Sequence, residues 1–136
     1  KIKKGSKVDA PVYLQDVMAS ALDLADIEKP DFVQFNSLMP MAFGDANKSV
    51  YSAIYGCYVN KQRMIRKDGF KLIMYPKANI VKLFNLTEDP LELNDLAGTK
   101  KYQQHVSELL KDFFELQKEY KDTLDISSLY AKYGMF

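Results

Sequence analysis

The residue types best suited to nucleophilic or metal chemistry are scarce in this chain. The only cysteine, Cys57, lies in the segment Gly-Cys-Tyr-Val-Asn, and the only histidine is His105. A single histidine cannot supply a pair of histidine ligands for a metal. We expect Cys57 to be a small buried thiol, because burial is the usual fate of a free cysteine. His105 is expected to be a partly exposed, inert residue on a helix.

One cluster of oxygen-bearing side chains is formed by Asp89, Glu92, Asn94 and Asp95. Clustered carboxylate and amide oxygens are typical ligands of calcium. This spacing, however, lacks the regularity and the glycine of an EF-hand loop. Asp89-Pro90 is typical of the start of a turn, and Asn94 of a side chain that bonds to nearby backbone. We therefore predict a structural turn here and no metal site.

Arg63 and Arg66 are candidates for anion binding, because a guanidinium can donate two parallel hydrogen bonds to an anion. They lie three residues apart in a predicted strand, so their side chains point to opposite faces of the sheet. The two arginines therefore cannot form one anion clamp.

Length and composition indicate one globular domain without an unusual partner. The chain has 136 residues, of which 47% are apolar and 27% charged, and its net charge is +1. Such a composition excludes disorder of the whole chain, and the charge gives no reason to expect nucleic acid or an anionic membrane as partner. A lone cysteine excludes an internal disulfide, and the chain contains no apolar run long enough to span a membrane.

The central elements are predicted to be strands. Asp68-Gly69 separates two runs rich in β-branched and aromatic residues, which is the strongest short-range signal of a hairpin. Alternation of apolar and polar residues predicts strands at 62–67, 70–75 and 80–85, and a fourth strand at 49–58. One face of such a sheet must be covered by a helix.

Apolar residues at three- and four-residue spacing predict that covering helix at 99–121, with Thr99 as its N-cap. The predicted stripe comprises Tyr102, Val106, Leu109, Phe113, Leu116 and Tyr120. A second helix is predicted at 11–26, with Pro11 in its first turn. Residues 28–48 are predicted to wrap over a core as a loop with short helical turns, and the tail is predicted to add a short turn around 127–133.

Two segments resemble the C-terminal part of the type I sulfatases. The first, Gln-Arg-Met-Ile-Arg-Lys-Asp-Gly-Phe-Lys-Leu-Ile, resembles R-x-x-R-x-x-x-Y-K-L-I, and the second, from Lys82 to Ala97, resembles L-(Y/F)-(D/N)-L-x-x-D-P-x-E-x-x-N-L-A. Phe70 stands for the tyrosine, and Asp95 stands inside the Asn-Leu pair. Residues 12–27 are similar to D-V-x-P-T-L-L-D-L-A-G-I, with Ala19 for the proline and Asp26 for the glycine. The loss of that glycine suggests a less sharp helix end.

The resemblance implies an α+β fold, a four-stranded antiparallel sheet packed by the long C-terminal helix and preceded by a helix of the parent's large α/β domain. Residues 1–48 would be the tail end of that large domain, and residues 49–136 the C-terminal subdomain. The parent would be a bacterial, periplasmic or secreted hydrolase of sulfate esters, with sulfated glycans as substrates. It would use calcium and a formylglycine made within C/S-x-P-x-R.

That pentapeptide does not occur in this sequence, and Cys57 lacks the proline and arginine. The chain is therefore expected to supply no catalytic residue and to complete the rim of the active site. The resemblance implies a candidate substrate-binding rim at Asn60, Lys61, Gln62 and Arg63. The alternative is a solvated loop in which Arg63 pairs with an acidic neighbour. Alone, the fragment is expected to expose the apolar surface that meets the large domain, or to self-associate.

Two other functions are compatible with the sequence. A free-standing carbohydrate- or protein-binding module would use Tyr51, Tyr55, Tyr58 and Tyr75 as a stacking platform, although tyrosines spread through strands are more often core residues. A phosphodiesterase or phosphonate hydrolase of the alkaline-phosphatase superfamily would share the architecture. The nucleophile of the parent distinguishes these enzymes from a sulfatase.

Overall fold

The computed structural model describes residues 2–44 and 51–133, which form two compact units. The first unit ends at Ile54 and the second begins at Tyr55. The predicted boundary between residues 48 and 49 lies outside the described residues. The elements, in chain order, are α1 Asp16–Leu24, α2 Met39–Ala42, β1 Ile54–Tyr58, β2 Gln62–Lys67, β3 Phe70–Tyr75, β4 Ile80–Asn85, α3 Gln103–Glu119 and α4 Ser127–Lys132.

The four strands form one antiparallel sheet, as predicted, and their order in it is β1-β2-β3-β4. Strands β2, β3 and β4 have the predicted bounds, and the β2–β3 turn places Asp68 and Gly69 at φ 49° and 78°. Both turn residues thus adopt the left-handed conformation that a two-residue hairpin requires. Strand β1 is shorter than the predicted 49–58: Ser49 and Val50 lie outside the described residues, and residues 51–53 precede the strand, which begins at Ile54.

Helix α3 packs against the sheet through β2 and β3. Paired residues Ile65 and Leu72 are fully buried, and so is Phe113 of α3. Burying a large apolar side chain contributes about 1.5–3 kcal/mol, so this layer is the main stabilising core of the second unit. The α+β architecture predicted from the sequence is therefore confirmed.

The predicted start and stripe of the long helix need correction. Residues Lys100–Tyr102 form a 3₁₀ turn after Thr99, and α3 itself begins at Gln103. Toward its C-terminal end the buried residue is Gln117, where the prediction had Leu116. Gln117 is buried because the tail returns along the helix. Its Nε2 donates to the Leu124 carbonyl at 2.7 Å.

The tail forms a helix, α4, at the place where a short turn was predicted. Leu129 and Tyr130 are buried, and the Tyr130 hydroxyl donates to Gln117 Oε1 at 3.1 Å. The Tyr130 ring meets Phe114 edge-on, with ring centroids 5.2 Å apart. Residues 122–133 are therefore an integral part of the second unit.

The loop after β4 closes against the outer edge of that strand. The Leu83 amide donates to Asp95 Oδ1 at 3.1 Å, and the Leu83 carbonyl accepts from the Leu96 amide at 2.8 Å. A carboxylate and a loop amide thus take the positions that a neighbouring strand would occupy.

In the first unit, α1 starts later than predicted. Residues 11–15 precede the helix, and the Asp16 carboxylate accepts a hydrogen bond from the Tyr13 amide at 2.7 Å in the turn just before it. The same carboxylate accepts from the Tyr51 hydroxyl at 2.5 Å. Asp16 is fully buried, and it ties the start of α1 to the far end of the unit.

The end of α1 is sharper than the missing glycine suggests. Asp26 adopts φ 54°, and the Ile27 amide donates to the Leu22 carbonyl at 3.0 Å. Aspartate tolerates this left-handed conformation better than most residues, so the helix is capped without glycine. Between α1 and residue 44, the predicted wrapping loop contains one short helix, α2.

The first unit exposes many large apolar side chains. Leu14 is 86% exposed and Phe32 is 79% exposed. Further exposed apolar residues are Val12, Val17, Met18, Leu24, Ile27 and Phe43. Within the part of the chain that the structure describes, no helix is long and apolar enough to cross a membrane.

Candidate functional site

The candidate site is the loop that joins β1 to β2, residues 58–62. The Lys61 amide donates to the Tyr58 carbonyl at 3.1 Å, which closes a tight turn. Tyr58 and Val59 are 63% and 64% exposed, and Asn60 and Lys61 are exposed as well. Four consecutive side chains, those of residues 58–61, are thus exposed and point away from the core of the second unit.

Beneath this loop, Arg63 is buried, with 8% of its side chain exposed. Its Nη1 donates to the carbonyls of Val59 and Gln62 at 2.7 and 2.9 Å. Its Nη2 donates to Asp122 Oδ1 at 2.9 Å, and its Nε donates to the other oxygen of that carboxylate. One guanidinium therefore links both sides of the loop to the segment after α3.

Asp122 receives further hydrogen bonds. The Tyr55 hydroxyl donates to Oδ2, and the Leu124 amide donates to Oδ1 at 3.1 Å. The Arg63 guanidinium holds the pKa of Asp122 well below its usual range, assisted by these donors. Burial, and then the hydrogen bond to Asp122, raise the pKa of Tyr55. At neutral pH, Asp122 is therefore ionised, and Tyr55 and Arg63 keep their protons.

The arginines have the different environments that their spacing predicts. Arg63 points to the α3 side of the sheet and is buried, whereas Arg66 is exposed. Of the four predicted rim residues, Asn60 and Lys61 are exposed, Gln62 is half-buried, and Arg63 pairs with an acidic neighbour. The ion pair was one of the two alternatives for Arg63. Of the predicted rim, the exposed residues are therefore Asn60 and Lys61.

The acidic cluster is occupied by internal contacts. Asp89 accepts from the amides of Leu93 and Asn94 at 3.1 and 2.7 Å, which lowers the pKa of Asp89. Glu92 pairs with Lys71 at 2.8 Å. Within residues 2–44 and 51–133, no group of three or more acidic, histidine or cysteine side chains is placed to hold a metal.

The prediction that Cys57 is buried was wrong, and the prediction that His105 is partly exposed is confirmed. Cys57 is exposed, because β1 is an edge strand and its end is uncovered. His105 is half-buried, with its ring centroid 4.7 Å from that of Phe70. Its Nδ1 is buried and has no hydrogen-bond partner among the described residues.

Sequence reasoning missed Asp122 and Tyr55 as partners of Arg63. Asp122 lies 59 residues from Arg63, so no short motif joins them. The one available signal is chemical: an arginine on the covered face of a strand requires an acidic partner, and a polar residue just beyond the covering helix can provide it.

Comparison with known proteins identifies the family. A family model described as N-sulphoglucosamine sulphohydrolase, C-terminal, matches residues 1–119. The chain belongs to this family. The predicted resemblance to the C-terminal part of sulfatases is thus confirmed.

Relatives of this C-terminal sulfatase domain have much longer chains. An N-acetylglucosamine-6-O-sulfatase from Bacteroides thetaiotaomicron is 30% identical over 132 residues, which cover 89% of this chain and 24% of the relative. The chain spans 62% of another relative, an uncharacterized protein from Haemophilus influenzae. It thus spans less than two thirds of the length of these curated relatives.

Solved structures of similar proteins share the fold of this domain. One, determined in complex with its substrate D-glucosamine-2-N,6-O-disulfate, is 29% identical with a TM-score of 0.66, over 79% of this chain and 24% of that one. Another, a 2-O GAG sulfatase, is 25% identical with a TM-score of 0.69, over 79% and 25%. The region similar to this domain is about a quarter of the chain in each of those two structures.

Proposed function

We propose that the chain is the C-terminal subdomain of a sulfatase that hydrolyses sulfate esters of glycans, with sulfated glucosamine as the first candidate substrate. The observation that carries this proposal is the family match over residues 1–119. Two similar proteins support the substrate class, one named for 6-O-sulfated N-acetylglucosamine and one bound to a disulfated glucosamine.

The chemistry would reside in the part of the full-length enzyme that this chain does not include. The described residues fit neither formylglycine nor calcium. Cys57 lies outside any C/S-x-P-x-R sequence, and the carboxylates of Asp89 and Glu92 bond to amides and to Lys71. The subdomain would therefore be catalytically inert by itself, and its role would be to shape the approach to the active site.

The residues proposed to meet the substrate are Asn60 and Lys61, with Gln62 beside them. Both Asn60 and Lys61 are exposed on a turn whose backbone is held from below by Arg63. An amide can bond to sugar hydroxyls, and an ammonium can pair with a second sulfate. This pairing of a neutral and a cationic donor suits a sulfated sugar.

The test uses the full-length protein that carries these residues. Its gene should encode a C/S-x-P-x-R motif, whereas a threonine or serine nucleophile in another motif would indicate a phosphodiesterase. The enzyme is assayed on glucosamine carrying 6-O-sulfate and on glucosamine carrying both 2-N- and 6-O-sulfate. Absence of sulfate release from these and other sulfated sugars would refute the proposal.

The rim is tested by Lys61→Ala, with Lys77→Ala as the matched control, because Lys77 is an exposed lysine of the β3–β4 connection. Removing a charge-assisted hydrogen bond costs about 1.5–3 kcal/mol, so KM for the disulfated sugar is expected to rise about tenfold or more. Equal KM values for Lys61→Ala and wild type would remove Lys61 from the proposed rim.

The exposed apolar side chains of the first unit are proposed to pack against the rest of the full-length enzyme. Leu14, Phe32 and further large apolar side chains of this unit are exposed, and exposed apolar surface commonly marks a site of interaction with another domain or chain. The 136-residue chain alone should therefore bind an apolar dye or self-associate in size-exclusion chromatography. A well-behaved monomer without dye binding would contradict this.

Two remaining parts of the proposal rest on the family alone. The parent enzyme is proposed to be bacterial and periplasmic or secreted, which fractionation of the source cells would test.

A free-standing binding module is less well supported, because its tyrosine platform would need exposed rings. Tyr55 stacks on Phe113, with ring centroids 5.0 Å apart, and of the four tyrosines Tyr58 is the exposed one.

A further inference from the structure

The β1–β2 loop has an unusual backbone at its tip. Val59 adopts φ 41°, in the left-handed region that β-branched residues strongly avoid. Residues held in such conformations cost about 1–3 kcal/mol each and persist only where surrounding contacts impose them. The exposed side chains of Tyr58, Val59, Asn60 and Lys61 do not provide that support.

The support comes from Arg63. Its Nη1 bonds to the carbonyl of Val59, before the two exposed polar residues, and to the carbonyl of Gln62, after them. These two contacts fix the backbone on both sides of Asn60 and Lys61. The guanidinium therefore defines the directions in which the two exposed side chains leave the turn.

Arg63 is oriented in turn by Asp122. The carboxylate accepts from Nε and Nη2 in a bidentate arrangement, which fixes both the position and the plane of the guanidinium. Asp122 itself is placed by the end of α3. Lys121 turns the backbone with φ 53°, and the Asp122 amide donates to the Gln117 carbonyl at 3.0 Å.

We propose that Arg63 and Asp122 are positioning residues, which hold Asn60 and Lys61 in the geometry that binds the sulfated sugar. This inference rests on the proposed function for its substrate, but its structural part concerns this chain alone. Arg63, predicted as a candidate contact to the substrate, then acts through the loop above it. Asp122, 59 residues away, becomes a determinant of substrate affinity.

The structural part is tested by amide hydrogen exchange in the 136-residue chain. The reporter is the Lys61 amide, which bonds to the Tyr58 carbonyl, and the internal reference is the Leu86 amide, which bonds to the Gly69 carbonyl. In Asp122→Asn, exchange at Lys61 should accelerate about tenfold or more beyond any change at Leu86, which reports the general loss of stability.

The matched control is Asp112→Asn. Asp112 is another carboxylate that pairs with a β2 side chain: its Oδ2 lies 2.7 Å from the Lys67 Nζ. That pair lies outside the β1–β2 loop. Asp112→Asn should leave exchange at Lys61 unchanged. Arg63→Lys provides a second variant that keeps the charge but loses the planar fork, and it should also accelerate exchange at Lys61. If Asp122→Asn does not fold, Arg63→Lys decides the outcome.

The substrate part is tested in the full-length enzyme with the disulfated glucosamine. Asp122→Asn should raise KM about tenfold with kcat within about twofold, because a misplaced loop weakens binding and leaves the reactive centre intact. The double variant Asp122→Asn/Lys61→Ala should raise KM by less than the product of the two single effects, since both changes disable the Lys61 contact.

The results separate the two claims. Unchanged exchange at Lys61 in both variants, or equal acceleration in Asp112→Asn, overturns the positioning role whatever the enzyme's activity. Faster exchange without a rise in KM overturns the link to substrate binding. A wild-type enzyme that releases no sulfate refutes the proposed function, and the exchange measurements still decide whether Arg63 and Asp122 hold the loop.

Discussion

The two ion pairs that join β2 to the helical layer should differ strongly in their contribution to stability. The side chains of Arg63 and Asp122 are 8% and 15% exposed, whereas those of Lys67 and Asp112 are 30% and 39% exposed. Breaking a buried pair costs about 3–5 kcal/mol, because the remaining charge keeps its desolvation penalty. An exposed pair contributes about 0.2–1 kcal/mol.

The perturbation is Arg63→Met, which leaves the Asp122 carboxylate with its amide and hydroxyl donors but without a cation. A loss of about 4 kcal/mol divided by an m-value of about 2 kcal/mol per molar predicts a urea midpoint lower by about 2 M. Lys67→Met should lower the midpoint by less than about 0.5 M. Equilibrium unfolding in urea, followed by circular dichroism at neutral pH, measures both shifts in the 136-residue chain.

Double-mutant cycles then separate the pairwise contribution from other effects of each substitution. The single variants Asp122→Asn and Asp112→Asn, and the double variants Arg63→Met/Asp122→Asn and Lys67→Met/Asp112→Asn, complete the two cycles. Charge-assisted, buried and bidentate bonds predict a coupling energy above about 2 kcal/mol for the Arg63 pair and below about 1 kcal/mol for the Lys67 pair. Equal couplings, or a smaller shift for Arg63→Met than for Lys67→Met, would refute the reasoning from burial.

Three further results are expected. Because Arg63 lowers the pKa of Asp122, this pair stabilises the fold above the ordinary carboxyl pKa of about 4. Its contribution is lost as the pH falls below that range. When the urea midpoint is measured against pH, the midpoint of Asp122→Asn should therefore fall less steeply on the acid side than that of the wild type. Gly69→Ala should cost about 1–2 kcal/mol in thermal unfolding, since Gly69 has φ 78° and a Cβ there would lie 2.8 Å from Thr87 Oγ1; an unchanged Tm would contradict the turn geometry. Phe113→Ala should cost about 3–5 kcal/mol in urea unfolding, since the ring is fully buried under the sheet, and a loss below about 1 kcal/mol would place it outside the core.

The strands were predictable because their signals are local. Asp68-Gly69 has few conformations other than the observed turn, and the two-residue alternation assigns Ile65 and Leu72 to one face. The bounds of β2, β3 and β4 follow from these two constraints. The long helix was predictable for the same reason, since its apolar spacing has the helical period.

The starts of both longer helices were not predictable, since distant or irregular contacts set them. The Asp16 carboxylate bonds to the Tyr51 hydroxyl 35 residues away, and this network shapes the residues before α1. At α3, a 3₁₀ turn takes the place of the expected cap at Thr99. Propensity alone does not distinguish such a turn from the first turn of an α-helix.

The surroundings of Arg63 were predictable only in part. The resemblance implies a rim at 60–63, which stays a prediction, and spacing separated Arg63 from Arg66. The partner of Arg63 depends on where the chain returns after α3, which no local pattern encodes. Cys57 was expected inside because free cysteines usually are, but the end of an edge strand leaves it exposed.

The carboxylate of Asp95 at the outer edge of β4 also limits how copies of this chain can associate. Open edges of sheets recruit strands from other molecules, which is a common first step of aggregation and domain swapping. At Leu83, the middle of that edge, donor and acceptor are already taken by Asp95 and the Leu96 amide. Strand addition along β4 would have to displace these two bonds, and the other edge strand, β1, is five residues long and a poor template for a growing fibril.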